Sequence, residues 1–303
     1  MDWIQGMQQA LQYIEEHLEE PLDYEKIASQ AYASSFHFQR VFSLLCGYTL
    51  GDYIRFRRMT KAGTELSAKN VKVIDVALKY GYENPDSFAK AFRQFHGITP
   101  SAARQPGVKL KSFAPLVIKL SLEGGTMLNY RIEEKPEMVL TGYKQRFHGV
   151  PYGQERLDQE HDFFVSTRAK QWLLYGATWE NRYVHYQIIT NIDDDGYDHY
   201  FAEPLSQWTR EAMGDPEVTG VAFLDQLGFE DVVIPAQTYV VFETERCTHP
   251  IEAYTDIRER IVSQWLPSFE YQLAEGPEIV KTYWPCGGPD KYMEIWLPIE
   301  RKS

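Results

Sequence analysis

The chain has 303 residues, 44% of them apolar, and a net charge of −12, enough for two or three domains of ordinary size. No apolar run is long enough to span a bilayer, and the acidic, amphipathic start MDWIQGMQQALQYIEEHLEE lacks the basic-then-apolar order of a secretory signal. The reading therefore predicts a cytoplasmic chain with no membrane partner. Cys46, Cys247 and Cys286 are far apart and odd in number, so neither a disulfide framework nor a zinc site is indicated, and no cofactor is expected.

An acidic chain is a poor partner for nucleic acid, but the charge is unevenly spread. Residues 1–112 carry 14 Lys and Arg against 12 Asp and Glu, and residues 113–303 carry 17 against 31. Within 34–112 the balance is 13 against 5. A basic segment thus lies between an acidic first helix and an acidic second half, which suits one part of the chain to a polyanion.

In chain order, residues 3–19 read as an amphipathic helix with Ile4, Met7, Leu11, Ile14 and Leu18 on one stripe, ended by Pro21. Asp23 opens a short helix with Tyr24, Ile27 and Ala28 inward. A third helix follows, capped by Ser34 or Ser35 and stopped by Gly47, with its core stripe at Phe38, Val41, Phe42 and Leu45. Its other face offers Phe36, His37, Gln39 and Arg40. Residues 49–68 read as one long helix loaded with Arg55, Arg57, Arg58 and Lys61.

The device then repeats. VIDVALKYGY is a short leading helix, Asn84 is a cap, Pro85 sits at the first helical position, and Phe88, Ala91, Phe92 and Phe95 restate the stripe fifty residues on, up to Gly97. A single helix-turn-helix pattern is weak. Two in register, joined by a basic helix, can set two reading helices about one DNA turn (roughly 34 Å) apart.

Pro106 and Gly107 close this region, and Gly124–Gly125 reads as a joint. The expected division is a DNA-binding domain over 1–108, a linker over 109–126, and a second domain over 127–303. In that second domain VLTGYKQRF, YVHYQIIT and TGVAFLD read as strands, with a helix from about Gln154 to Leu174. QTYVVFETE, a helix from about Pro250 to Trp265, EIVKTYW and YMEIWLPI form a second strand–helix–strand–strand set. Alternation along the last strand places Met293, Ile295, Leu297 and Ile299 on one face and Tyr292, Glu294, Trp296 and Pro298 on the other. A carboxylate between aromatics is either a solvated surface group or a binding feature. NIDDDGYDHYFAE has the start of a calcium loop, but Ala202 stands where the bidentate Glu belongs, so an acidic turn is the better reading. No GxSxG, HExxH, P-loop or GxGxxG occurs, and nothing in the sequence makes the chain an enzyme.

IASQAYASSFHFQRVFSLLCGYTLGDYIRFRRMTKA and VIDVALKYGYENPDSFAKAFRQFHGITPSAAR resemble the two halves of the AraC/XylS-type DNA-binding domain, nearest its Rob-like branch. The resemblance implies double-stranded DNA as partner, met by Phe36, His37, Gln39 and Arg40 of the first helix and Asp86, Ala89, Lys90 and Arg93 of the second, with Arg57 from the connecting helix. RNA polymerase is a further implied partner. Gln suits adenine and Arg suits guanine. Pro85 and Asp86 depart from that branch, so the first helix is expected to carry the sequence discrimination and the second to anchor.

VIPAQTYVVFETE through YMEIWLPI resembles the GyrI-like effector-binding domain, an α+β fold of two tandem strand–helix–strand–strand modules. The resemblance implies multidrug-type sensing of a small aromatic or cationic molecule, with Glu294 as carboxylate and Trp296, Tyr283, Trp284 and Phe223 as walls. A tyrosine is expected to hydrogen-bond Glu294. The rival readings of this domain are a small-molecule hydrolase with Glu294 as base, and a partner-docking module with no small ligand. The fold class is thus multidomain, an all-α double helix-turn-helix domain followed by an α+β domain.

Overall fold

A computed structural model describes residues 3–68, 71–118, 128–151, 154–178, 183–215, 217, 223–266, 270–285 and 288–301. The chain divides into two compact units, residues 1–43 with 48–123, and residues 44–47 with 124–303.

The first unit is helical: α1 (Trp3–Glu16), α2 (Tyr24–Gln30), α3 (Ser35–Cys46), α4 (Leu50–Ala68), α5 (Val73–Lys79) and α6 (Pro85–His96). Local chemistry sets the ends. The Asp23 carboxylate accepts from the Glu25 N–H, Ser34 Oγ from the His37 N–H at 3.2 Å, and Asn84 Oδ1 from the Asp86 N–H at 2.8 Å, each filling a vacant first-turn donor. Gly47 and Gly97 leave their helices at φ +75° and +81°, left-handed backbone that glycine adopts without steric cost. The second half of the unit packs Met59, Ala62 and Leu66 of α4 against Val76, Ala77, Phe88, Phe92 and Ala103. A Cβ on Gly63 would lie 2.7 Å from His96 Nε2, so glycine lets α4 and α6 close together. His96 Nε2 meets the Met59 carbonyl at 2.9 Å, and its Nδ1 accepts from the Lys111 N–H.

Beyond residue 107 the chain takes no regular structure as far as residue 118. It lies back on α4: the Phe113 N–H donates to Thr60 Oγ1 and the Leu116 N–H to the Tyr53 hydroxyl.

The second unit is built on an antiparallel sheet. Among the described residues its strands are β1 (Tyr130–Lys135), β2 (Met138–His148), β3 (Val184–Thr190), β4 (Gly196–Glu203), β5 (Glu230–Ile234), β6 (Gln237–Glu243), β7 (Tyr271–Leu273), β8 (Glu278–Tyr283) and β9 (Tyr292–Arg301). The order is β1-β6-β9-β8-β3-β4-β2-β5, with β7 also on β9. Read outward from the β8/β3 pair, β9 then β6 mirrors β4 then β2, so the duplication expected from sequence is present. Each set lends a strand to the other: β1 precedes β2 but pairs with β6, and β5 precedes β6 but pairs with β2.

The two faces differ. On the outer face Tyr143, Phe147, Ile189, Tyr197 and Phe201 pack with Phe163 of α7 (Gln154–Ser166) and Leu174 of α8 (Arg168–Ala177). Trp265, in the π-turn after helix Ile251–Arg260, stands edge-on to Phe242, ring centroids 5.1 Å apart. The inner face is a cluster of strand residues alone: Leu140, Ile188, Tyr200, Ala202, Ile234, Tyr239, Val241, Ile279 and Trp296, with Tyr186 beside them. The sheet curls around its own aromatic lining.

Two expectations change. The single helix over 154–174 is two helices meeting at Thr167. TGVAFLD is not a strand where it is described: Phe223–Leu227 is a short helix, 219–222 lie outside the described residues, and the third strand of the first set is instead β4, whose residues were read as part of an acidic turn.

Candidate functional site

The helical unit presents two helices with N-caps of one kind. On α6 the core stripe Phe88, Phe92 and His96 is buried, which at 100° per residue turns Asp86, Ser87, Lys90, Arg93 and Gln94 outward. All five are exposed, while Ala89 is half-buried on the flank. On α3 the buried arc is wider. It takes in His37 and Arg40, 4% and 6% exposed, as well as Phe38, Val41 and Phe42. Positions 37, 40 and 41 share a flank of the helix, so the outward arc narrows to Phe36, Gln39 and Ser43, each half-buried. The open face expected to include His37 and Arg40 is therefore smaller. Gln39 Nε2 is held by Ser35 Oγ at 3.0 Å.

Arg57 is no surface cation. It is 5% exposed, and its Nε and Nη2 donate to the two Glu15 oxygens, both at 2.7 Å. Its Nη1 donates to the Phe113 carbonyl. Tyr53 donates to the same Glu15 at 2.8 Å. The planar guanidinium thereby ties α4 to α1 and to the segment after the helices. With those bonds made and the side chain buried, Arg57 is not presented to a phosphate, so the expected DNA contact by Arg57 is withdrawn. The sequence showed only that it stood between other basic residues.

On the inner face of the sheet, Glu294 lies 4% exposed near the start of β9. Its Oε1 accepts from Arg131 Nη2 at 2.6 Å. Its Oε2 accepts from the Trp296 indole N–H at 2.9 Å and from the Tyr283 hydroxyl at 3.2 Å. Burial, reinforced by the Glu294 charge, pushes the Tyr283 phenol up from its ordinary value. Arg131 also bonds Glu133 and lies 3.9 Å from Glu243, and Lys135 bonds Glu133. The Lys135 and Lys281 ammonium groups stand 4.6 and 4.0 Å from the Trp296 ring centroid. Gly142 faces Ala202 across β2 and β4 so closely that a Cβ would sit 2.6 Å from the Ala202 Cα, which keeps this part of the face low beside Tyr186.

Comparison with known proteins decides what this pairing of units is. The profile of the family described as "Integron-associated effector binding protein" matches residues 131–299, more than half the chain. That of "Helix-turn-helix domain" matches residues 27–106. The chain is a member of the integron-associated effector-binding family joined to an AraC-type helix-turn-helix domain. Over 94 residues it is 44% identical to the HTH-type transcriptional activator AarP of Providencia stuartii, covering 31% of this chain and 70% of that one. It is 32% identical over 102 residues to the multiple antibiotic resistance protein MarA of Escherichia coli K12, covering 34% and 80%. Among solved structures, an integron cassette protein from the mobile metagenome of Vibrio cholerae aligns at 13% identity and a TM-score of 0.37, covering 56% of this chain and 95% of that one.

This AraC-type DNA-binding regulator therefore carries an effector-binding domain. No helix of the described residues is long and apolar enough to cross a membrane. Of the residues the sequence assigned to the effector domain, Glu294, Trp296 and Tyr283 come together by hydrogen bonds. Trp284 does not join them; it stands one residue past β8, with Lys291 Nζ 4.5 Å from its ring. The Phe223 side chain and Cys286 lie outside those described. Arg131, Lys135 and Lys281 were missed. Their only sequence signal is the alternation of YRIEEK and EIVKTY, and strand pairing, not sequence, puts them on the face of Glu294, with Lys281 directly opposite it. Ser87 and Gln94 were also missed, although helical spacing from Lys90 would have found them. In the acidic turn, Asp193 Oδ1 accepts from the Asp195 and Gly196 N–H groups and pairs with Arg146.

Proposed function

We propose that this regulator reads duplex DNA through the outward arcs of α3 and α6, and that its second unit senses a small aromatic molecule on the inner face of the sheet. The observation that carries the sensing half is the buried Glu294, held by Arg131, Tyr283 and Trp296 on a face that no described helix contributes to. A polar group fixed within an aromatic, concave lining orients a ligand that the rings bind by area. Both Glu294 oxygens already accept hydrogen bonds, one from a guanidinium, which is the setting of a structural charge and disfavours a hydrolytic base.

For DNA, the exposed Lys90, Arg93 and Gln94 offer phosphate contacts and pairing with guanine and adenine, beside Phe36 and Gln39 of the first helix. With Arg40 buried, the second helix takes a larger share of discrimination than its Asp86 suggests. One relative is a transcriptional activator, so RNA polymerase is the partner proposed for the DNA-bound chain.

Fluorescence anisotropy of the full chain on genomic fragments, with and without a panel of aromatic compounds, tests both halves. Salt-dependent binding that the right compound changes is expected. Salt-independent binding, or an affinity unaltered by every compound that binds the chain, sinks the sensing reading and favours a partner-docking role.

A further inference from the structure

The inner face holds its own cations against its rings. Lys281 Nζ lies 4.0 Å from the Trp296 centroid and 5.0 Å from that of Tyr186, Lys135 Nζ lies 4.6 Å from Trp296, and Lys144 Nζ lies 5.3 Å from Tyr200. Ammonium groups over ring faces at such distances gain quadrupole attraction that a ligand cation would otherwise supply. Strand register explains the arrangement: Lys281 on β8 faces Tyr186 on β3 and Glu294 on β9, and Lys144 faces Tyr200.

The carboxylates are equally engaged. Glu294 is taken by Arg131, and Glu133 by Arg131 and Lys135. Glu243 lies 3.4 Å from Arg246 and 3.9 Å from Arg131, and Glu230 lies 3.2 Å from Lys144. An arriving cation would find each of these charges paired and would meet three ammonium groups beside the rings. Lys281 differs from the other two. Among the described residues it has rings but no carboxylate within ion-pair distance, and it is half-buried. A cation short of water and of a counter-ion is a receptor for an anion.

We infer that the inner face selects aromatic anions, a planar ring system lying against the half-buried Tyr186 with its carboxylate on Lys281. Burial lowers the readiness of the Lys281 amine to stay charged, partly offset by Glu294, and an anionic ligand would restore it. This inference rests on the reading of the face as a small-molecule site.

Titration calorimetry of the full chain with naphthalene-2-carboxylate, naphthalene-2-carboxamide and 2-naphthylmethylammonium separates the two claims. The carboxylate should bind about tenfold tighter than the amide, the order expected of one charge-assisted hydrogen bond, and the ammonium more weakly than either. Lys281→Gln should bring carboxylate and amide to similar affinity, and Lys281→Arg should keep the preference, which guards against a variant that merely misfolds. The tightest binding by the ammonium, or a carboxylate preference that survives Lys281→Gln, overturns the charge assignment and leaves the small-molecule site standing. Binding by none of the three overturns the site itself, and the charge assignment with it.

Discussion

Glu203, at the end of β4, carries a pH dependence that can be worked out from its surroundings. It is fully buried on the outer face. One oxygen is 3.0 Å from His185 Nδ1, whose ring stacks on Tyr175 of α8 at 3.6 Å, and the other has no side-chain hydrogen-bond partner among the described residues. Burial pushes the Glu203 carboxyl up from 4.5 to about 9, opposed by the Tyr186 backbone N–H. Burial also pushes His185 down from 6.5 to about 4, so at neutral pH both partners are uncharged. The folded chain keeps a proton on Glu203 that the unfolded chain releases. That contribution is complete below pH 4.5 and is lost as pH rises toward 9. His185 acts in the opposite sense, its contribution being lost as pH falls from 6.5 through about 4, outside an alkaline window. At about 1.4 kcal/mol per pH unit, Glu203 should cost roughly 3 kcal/mol between about pH 6.5 and 8.5. Glu203→Gln cannot titrate, so its stability relative to wild type should rise by that amount across the window, whatever its constant offset. Urea unfolding followed by Trp emission measures this, because six of the seven tryptophans lie beyond residue 127. A difference that stays flat or shrinks from pH 6.5 to 8.5 refutes a protonated Glu203.

Other outcomes follow from the same geometry. Arg57→Ala leaves Glu15 without its two-point partner and should destabilise the helical unit by roughly 3 kcal/mol; loss of DNA binding with unchanged stability would restore Arg57 as a DNA contact. Arg93→Ala should weaken binding to a specific duplex by about 1–3 kcal/mol and relax preference at one base pair, whereas equal loss on random duplexes would make it a phosphate contact. Gly63→Ala pushes a methyl into the His96 ring and should cost about 1–3 kcal/mol, read by thermal unfolding; no loss would mean that the α4–α6 approach is looser than its contacts indicate.

The helices were legible because each of their signals is local. Ser34, Asn84, Pro85 and the glycines at 47 and 97 act within a turn of themselves, and the repeated phenylalanine stripes need only spacing. The duplication of the sheet was legible from the alternation in β2, β3, β6, β8 and β9, but β4 was read as an acidic turn because its aspartates and glycine look like loop residues until Phe201 and Tyr197 are seen to pack. What escaped was pairing at long range. Arg57 looked like a member of a basic face because its partner Glu15 is 42 positions away on another helix. Glu294 looked like a lone carboxylate because Arg131 is 163 positions away on a strand that has crossed to the other module. The crossing of β1 to the other module is what sets Arg131 opposite Val241 and Lys135 opposite Gln237 on β6, and so on the same face as Glu294. A tandem unit whose first strand stayed at home would leave Glu294 without its guanidinium and open to a cation. The charge preference of the face is therefore set by topology as much as by the residues that line it.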